Sequence, residues 1–321
     1  MSRAPSAPVY STYNPCARII YRRPFRRKEN AHGRDAFPGR DPDASRLPVT
    51  LFDPQAVRAF EHAGWEKAAS AYRVTFARAS GEFVEALLET AEVTTGTRLL
   101  DLCCGPGVVT EAAAQGGAEA SGLDFSRAML AEARAAYPSL RFHEGDAETM
   151  PFADASFDAV VSNFGIHHVP RPEHALAEVF RVLRPGGRFA FTNWANPADN
   201  IAWHLLFEAV RLHGDPGAAK APPSGGGLDS EEVVLSLLRE AGFAEAGAAL
   251  VRREWRIEHP GDLIAVFRRG TVRTAAMIEA QRPGALLAIE AEIARRAAAY
   301  RRDGWYFIPI AAILGRGVKP R

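Results

Sequence analysis

Leu99-Leu100-Asp101-Leu102-Cys103-Cys104-Gly105-Pro106-Gly107-Val108-Val109-Thr110 is the stretch on which the fold turns. A β-prone apolar run ends near an acid, the chain turns on glycines, and a helical pattern begins. Such a turn lets a ligand lie against bare backbone. Working outward, β-prone runs at 97–102, 118–123, 140–143, 157–163 and 187–194 alternate with helical stretches such as 126–136 and 173–183. That alternation predicts a parallel sheet covered by helices on both faces. Pro185-Gly186-Gly187 reads as a helix stop and a tight turn into the fifth strand.

Two details sharpen the glycine turn. A dinucleotide fingerprint carries a further glycine three residues after Gly107, where Thr110 stands. Asp101 opposes a phosphate but suits a ligand bearing an ammonium or sulfonium. The next strand ends at Asp124, where a carboxylate can accept both hydroxyls of a ribose. Gly145-Asp146-Ala147 follows the third strand and sets another acid at the same edge. Three acids at three successive strand ends form one site.

Composition bounds the rest. The chain has 321 residues, 47% hydrophobic and 24% charged, at a formal net charge of +1. This is enough for a large core, and it excludes a disordered chain or a global basic field for nucleic acid. Cys16, Cys103 and Cys104 make neither a disulfide framework nor a zinc pattern, so a reducing, cytoplasmic setting is expected, with no metal. No apolar run approaches the roughly 20 residues needed to span a bilayer, and no secretory signal is read.

Residues 1–50 carry ten basic against four acidic side chains, seven prolines and no apolar periodicity, and read as a disordered basic tail. From 57 to 88 the apolar residues fall at helical spacing, predicting two or more helices. After the fifth strand come a Gly/Pro-rich stretch at 213–227 read as a mobile loop, a helix at 230–241 and a strand at 244–255. Two helices between 261 and 302 and a final strand at 305–314 complete the chain.

These residues resemble the class I S-adenosylmethionine-dependent methyltransferases, in the branch similar to ubiquinone/menaquinone-biosynthesis C-methyltransferases. The resemblance runs from about Trp65 to the end and is densest from Arg98 to Asn193. The family's acid-x-Gly-x-Gly-x-Gly motif stands here as Asp101 to Gly107, with Cys103 at the first glycine, a substitution that fits if its backbone keeps a negative φ. Later landmarks also match: 150–158 leading into the fourth strand and 181–187 before the fifth.

The resemblance implies a Rossmann-like α/β sheet of seven strands, mostly parallel with the last antiparallel. It implies N-terminal lid helices (51–96), a cofactor core (97–194) and substrate-side helices with the last two strands (195–321). S-adenosylmethionine is the implied cofactor. Asp101 and the backbone of Cys103 and Gly105 would face its methionine part, Asp124 its ribose, and Gly107 would belong to the cofactor-binding turn. Phe125 would pack on adenine, Asp146 and the Ala147 backbone would bind the adenine edge, and Asn163 belongs to the same set. Tyr72 would reach the cofactor carboxylate.

The fourth strand is followed by Phe164-Gly165-Ile166, not the two prolines and aromatic of enzymes that methylate exocyclic amino groups. The expected acceptor is therefore a small molecule rather than a nucleic acid. His168, then His167, lie past that strand end and are the candidate bases, with His204 behind them. Trp194, Trp203, Phe207, Phe267 and Trp305 are candidate walls of an apolar acceptor pocket. Arg252, Arg253, Arg268, Arg269 and Arg273 are candidate contacts to an acidic acceptor. The rival readings are a nicotinamide-dependent oxidoreductase, a non-catalytic binder of the same cofactor, and an RNA methyltransferase with the tail as its arm.

Overall fold

The computed structural model describes residues 52–222 and 227–321. The expected tail at 1–50 and part of the loop at 213–227 lie outside these residues. Three helices precede the sheet: α1 (Pro54–Val74), α2 (Ala77–Gly81) and α3 (Val84–Thr90). Asp53 caps α1, its carboxylate accepting from the Gln55 N–H, and Pro54 opens the helix at a position whose N–H would have no intrahelical partner.

The strands are β1 (Arg98–Leu102), β2 (Glu119–Asp124), β3 (Arg141–Glu144), β4 (Phe157–Asn163), β5 (Leu183–Trp194), β6 (Ala244–Ile257), β7 (Arg301–Arg302) and β8 (Trp305–Val318). Their order is β3-β2-β1-β4-β5-β8-β6, with the two-residue β7 paired to β8. The first five are parallel, and β8 runs antiparallel to both β5 and β6. The expected seven-stranded path with an antiparallel last strand is what the sheet shows.

Between the strands run α4 (Val108–Gln115), α5 (Arg127–Ala136), α6 (Pro172–Val182), α7 (Ile201–His213) and α8 (Glu231–Glu240). Four of the five residues of β1 are buried, as expected of a strand covered on both faces. One face packs against α3 and α4 through Val84, Leu87, Leu99, Val109 and Ala113. The other packs against α6 and α8 through Leu100, Leu102, Leu176, Val179, Val234 and Leu238. The helix that follows β1 (α4) and the helix that follows β4 (α6) thus lie on opposite faces, and the strand order reverses at β1, which opens a crevice above its carboxyl end.

Two findings differ from the expectations, and a third adds to them. The segment 261–302 holds three helices, α9 (Gly261–Gly270), α10 (Arg273–Glu279) and α11 (Pro283–Ala297), because Pro283 starts a new helix instead of ending inside one. Pro185-Gly186-Gly187 is not a free turn: it lies within β5 as an irregularity opposite Phe157 to Ala159, with Gly186 at φ +78° and Gly186–Gly187 bonded to Lys319. A separate apolar cluster packs α7, α9, α10 and α11 against the far ends of β6 and β8, through Leu206, Phe267, Ile278, Ile293, Trp255 and Ile308.

Candidate functional site

The carboxyl ends of β1, β2, β3 and β4 open into a cleft with about 940 Å³ of empty space, part of it open to solvent. Asp101 is buried at the end of β1, and its Oδ2 accepts both the N–H (3.0 Å) and the hydroxyl (2.7 Å) of Thr110 in the first turn of α4. Its Oδ1 has no hydrogen-bond partner among the described residues. Burial raises its pKa to about 7. Asp124 lies on the neighbouring strand and accepts from the Gly105 N–H (2.8 Å) through Oδ2 and the Ser126 N–H (2.9 Å) through Oδ1. Burial raises its pKa to about 6 against the pull of these backbone donors.

The glycine turn differs from the expectation at two places. Cys103 adopts φ +58°, the left-handed region, and not the negative φ that would have made it a neutral substitution. Gly165 accommodates it: a Cβ there would meet the Cys103 Cβ at 2.4 Å. Gly107 does not line the cavity, although Cys103, Cys104, Gly105 and Pro106 do. It caps α4 at φ +83°, and a Cβ there would meet Phe142 at 2.7 Å, so this glycine serves packing.

Phe125, Asp146, Ala147, Asn163 and Tyr72 all line the cavity. Phe125 meets the edge of His62 at 5.2 Å. Asp146 accepts from the Glu148 N–H and pairs with Arg58 of α1 at 2.9 Å. Asn163 has both ends of its amide engaged, Nδ2 donating to the Ser80 carbonyl and Oδ1 accepting from Thr192, so it ties the wall together. The Tyr72 hydroxyl shares a hydrogen bond with Ser80 Oγ at 3.1 Å, and burial raises its pKa.

A second cavity, with about 1100 Å³ of empty space that includes open solvent, adjoins the first, and Trp65, Tyr72, Phe164 and His168 line both. Phe76, Trp194, Trp203 and Phe207 supply its aromatic walls, with Phe164 stacked on Trp194 at 3.8 Å. Two expected wall residues are absent. Phe267 is fully buried beneath Trp203, and Trp305 stands exposed under Arg256 at the far end of β8. Of the five arginines only Arg273 lines this cavity; Arg252 pairs with Asp199, while Arg253 and Arg269 bond backbone carbonyls. His204 lines neither cavity.

His168 Nδ1 lies 2.9 Å from Glu61 Oε2, and Glu61 Oε1 accepts from Arg273 Nε at 2.5 Å. Burial alone would raise the Glu61 pKa, but His168 and Arg273 together hold it below the usual range. His167 lines the second cavity, and burial, with His168 and Arg273 beside it, keeps it neutral. Arg273 Nη2 is buried without a hydrogen-bond partner among the described residues, and the His167 ring stands within reach of the Asn193 side chain; all three residues line this cavity.

Sequence reasoning missed Arg58, Glu61, Trp65 and Ser80 and left Arg273 among five candidates. A signal for Glu61 exists: it shares the buried face of α1 with Val57, Ala68 and Ala69, and an acid on an apolar stripe calls for a partner.

Comparisons with known proteins agree with this geometry. A family profile described as a methyltransferase domain matches residues 100–191. The chain is 33% identical over 198 residues to a ubiquinone/menaquinone biosynthesis C-methyltransferase of Roseobacter denitrificans, covering 54% of this chain and 79% of that protein. It is 42% identical over 102 residues to a demethylmenaquinone methyltransferase of Renibacterium salmoninarum, covering 32% of this chain and 43% of that one. With the first curated relatives the match thus spans only about half of their length. Among solved structures, a chain provisionally described as a methyltransferase from an antibiotic biosynthesis pathway of Anabaena variabilis shares the fold. It aligns at TM-score 0.51 and 18% identity over 72% of this chain and 95% of its own.

Proposed function

Because the chain belongs to the class I S-adenosylmethionine-dependent methyltransferases of the ubiquinone/menaquinone C-methyltransferase type, we propose that it methylates a small aromatic or quinone-like acceptor at oxygen or carbon. The observation that carries the cofactor assignment is the unshared Oδ1 of Asp101, a buried carboxylate oxygen on a residue lining the first cavity. Such an oxygen fits an ammonium group, and pairing would hold Asp101 ionised.

The rest of the cavity fits the cofactor as well. Asp124, fixed by two backbone donors, keeps lone pairs for ribose hydroxyls. Phe125 and Ala147 offer apolar surface beside Asp146 for adenine. A nicotinamide cofactor fits poorly, because the Thr110 N–H, one of the free donors at the start of α4 that would meet a pyrophosphate, is spent on Asp101. Asp101 would also repel that phosphate.

When bound, the cofactor supplies an electrophilic methyl carbon, so the protein contributes alignment and a dry pocket more than a nucleophile. Tyr72, Trp65, Phe164 and His168 stand where the two cavities meet and enclose the line of transfer. Trp194, Trp203 and Phe207 stack the acceptor, and His168 takes its proton. The names of the relatives, which include demethylmenaquinone methyltransferases, support a quinone-like acceptor.

Titration calorimetry of S-adenosylmethionine, and separately NADH, into the protein and its Asp124→Ala variant tests the cofactor. Micromolar binding of S-adenosylmethionine alone, lost in the variant, is expected. No heat from it with a folded protein overturns the reading, and heat from NADH would favour an oxidoreductase.

A further inference from the structure

We propose that Glu61 is the positioning residue that holds His168 as its Nδ1–H tautomer, and that the Glu61–Arg273 pair restricts the acceptor to a neutral molecule with a weakly acidic O–H. This rests on the reading of His168 as the proton acceptor.

Glu61 is fully buried on α1, and each of its carboxylate oxygens has one partner: His168 from the turn after β4, and Arg273 from α10. An ionised carboxylate only accepts hydrogen bonds, so Nδ1 of neutral His168 must carry the proton. Nε2 is left with its lone pair, the form in which an imidazole acts as a base. Trp65, edge-on to the His168 ring at 4.9 Å, restrains the ring further.

The charges fix the acceptor class. Glu61 and Arg273 cancel, so with the imidazole in the neutral tautomer proposed for it the three side chains carry no net charge before the acceptor enters. His167 packs against the His168 ring and Tyr72 lines the same cavity, and burial keeps both uncharged; Asp229, a further acid on the cavity lining, adds no positive charge. A carboxylate acceptor would bring an uncompensated negative charge between aromatic walls, an expensive transfer. A phenol, enol or quinol avoids this cost. Its O–H bond breaks, the proton goes to Nε2, and the electron pair stays on oxygen or spreads to a conjugated ring carbon.

Each charge created then meets an opposite one already in place. The imidazolium faces Glu61. The oxyanion faces Arg273, whose Nη1 is committed to the Pro222 carbonyl at 2.7 Å while Nη2 has no partner among the described residues. O-methylation forms an O–CH3 bond as the methyl–sulfur bond breaks with its electron pair going to sulfur, and the proton leaves His168 for solvent; C-methylation forms a C–CH3 bond instead, after which the ring C–H proton is lost and the oxygen regains a proton.

Long-range proton–nitrogen NMR at pH 8 on protein labelled with ¹⁵N-histidine reads the tautomer without cofactor or acceptor. The His168 signals are identified by their loss in His168→Gln. A pyrrole-type Nδ1 and a pyridine-type Nε2 are expected, giving way to mixed tautomers in Glu61→Gln. An Nε2–H tautomer, a persistent imidazolium, or a spectrum unmoved in Glu61→Gln overturns the positioning role. If Glu61→Gln fails to fold, Glu61→Gln with Arg273→Gln removes both charges together, and the parent spectrum alone still decides the tautomer.

The acceptor class is read by quenching of tryptophan fluorescence with 1-naphthol and 1-naphthoate. Naphthol is expected to bind at least about tenfold more tightly, a 1.4 kcal/mol difference. Equal or reversed affinities overturn the charge argument. S-adenosylhomocysteine binding is the separate control: its absence from the parent protein counts against the methyltransferase reading, not against the tautomer.

Discussion

The two cavities are built on opposite principles. The first is made by consecutive strand ends, and its central hydrogen bonds run between residues a short distance apart in sequence, Asp101 with Thr110 and Asp124 with Gly105 and Ser126. Much of its surface is backbone. The second is assembled from side chains on α1, the turn after β4, the end of β5, α7 and α10, and its key pairs join residues 107 and 212 positions apart. A cavity of the first kind is fixed by the sheet and suits one invariant ligand. A cavity of the second kind depends on how separate helices meet, and it can change its acceptor without disturbing the sheet.

The sharpest break between the cavities comes from Asp101→Asn. Removing one partner of a buried charge pair costs about 3 kcal/mol, so S-adenosylmethionine affinity at pH 8 falls roughly 100-fold. Binding of 1-naphthol in the second cavity stays within about twofold. The same carboxyl gives the parent a pH signature. With its pKa near 7 in the free protein, Asp101 is increasingly protonated below that value and loses its attraction for the ammonium group. Calorimetry should show affinity falling as pH drops from 8 to 6 in the parent and a flatter profile in Asp101→Asn. A loss of naphthol binding in that variant would mean the cavities are not separable.

Trp203→Leu tests the separation from the other side with a smaller effect. Trp203 meets Phe76, Trp194 and Phe267, and aromatic contacts are worth about 0.5–1.5 kcal/mol each beyond burial. Naphthol affinity should fall about tenfold while S-adenosylmethionine affinity moves less than twofold. An equal loss of both would show that the wall also positions the cofactor.

The same contrast explains what the sequence revealed. The sheet, the glycine turn and the three acids are local patterns, and a strand-to-helix switch beside an acid is visible in a dozen residues. Glu61 and Arg273 are not, because nothing in the spacing of α1 or α10 says which of many charged residues will meet across the fold. The aromatic wall was half legible: Trp194, Trp203 and Phe207 follow the cofactor core directly in sequence, whereas Phe267 and Trp305 needed the packing of α9 and β8 to be placed away from the cavity. The Cys103 conformation was misread for a subtler reason. Its residue type says small, but its φ is set by the turn that brings the Gly105 N–H to Asp124.

Cys103→Gly is the smallest test and asks whether that turn is governed by backbone. A left-handed conformation costs a non-glycine residue about 1–2 kcal/mol, and glycine returns part of this, about 0.5–1 kcal/mol, through the greater freedom of the unfolded chain. Some packing beside Gly165 is also lost, since the Cys103 side chain fills the space a Cβ at Gly165 would need. The net gain is therefore at most about 1 kcal/mol, a rise in Tm of roughly 1–3 °C for a domain of this size, with S-adenosylmethionine affinity within about twofold. A fall in Tm would show that the thiol's packing outweighs the strain. A large loss of affinity would show that a side chain, and not bare backbone, shapes this end of the first cavity.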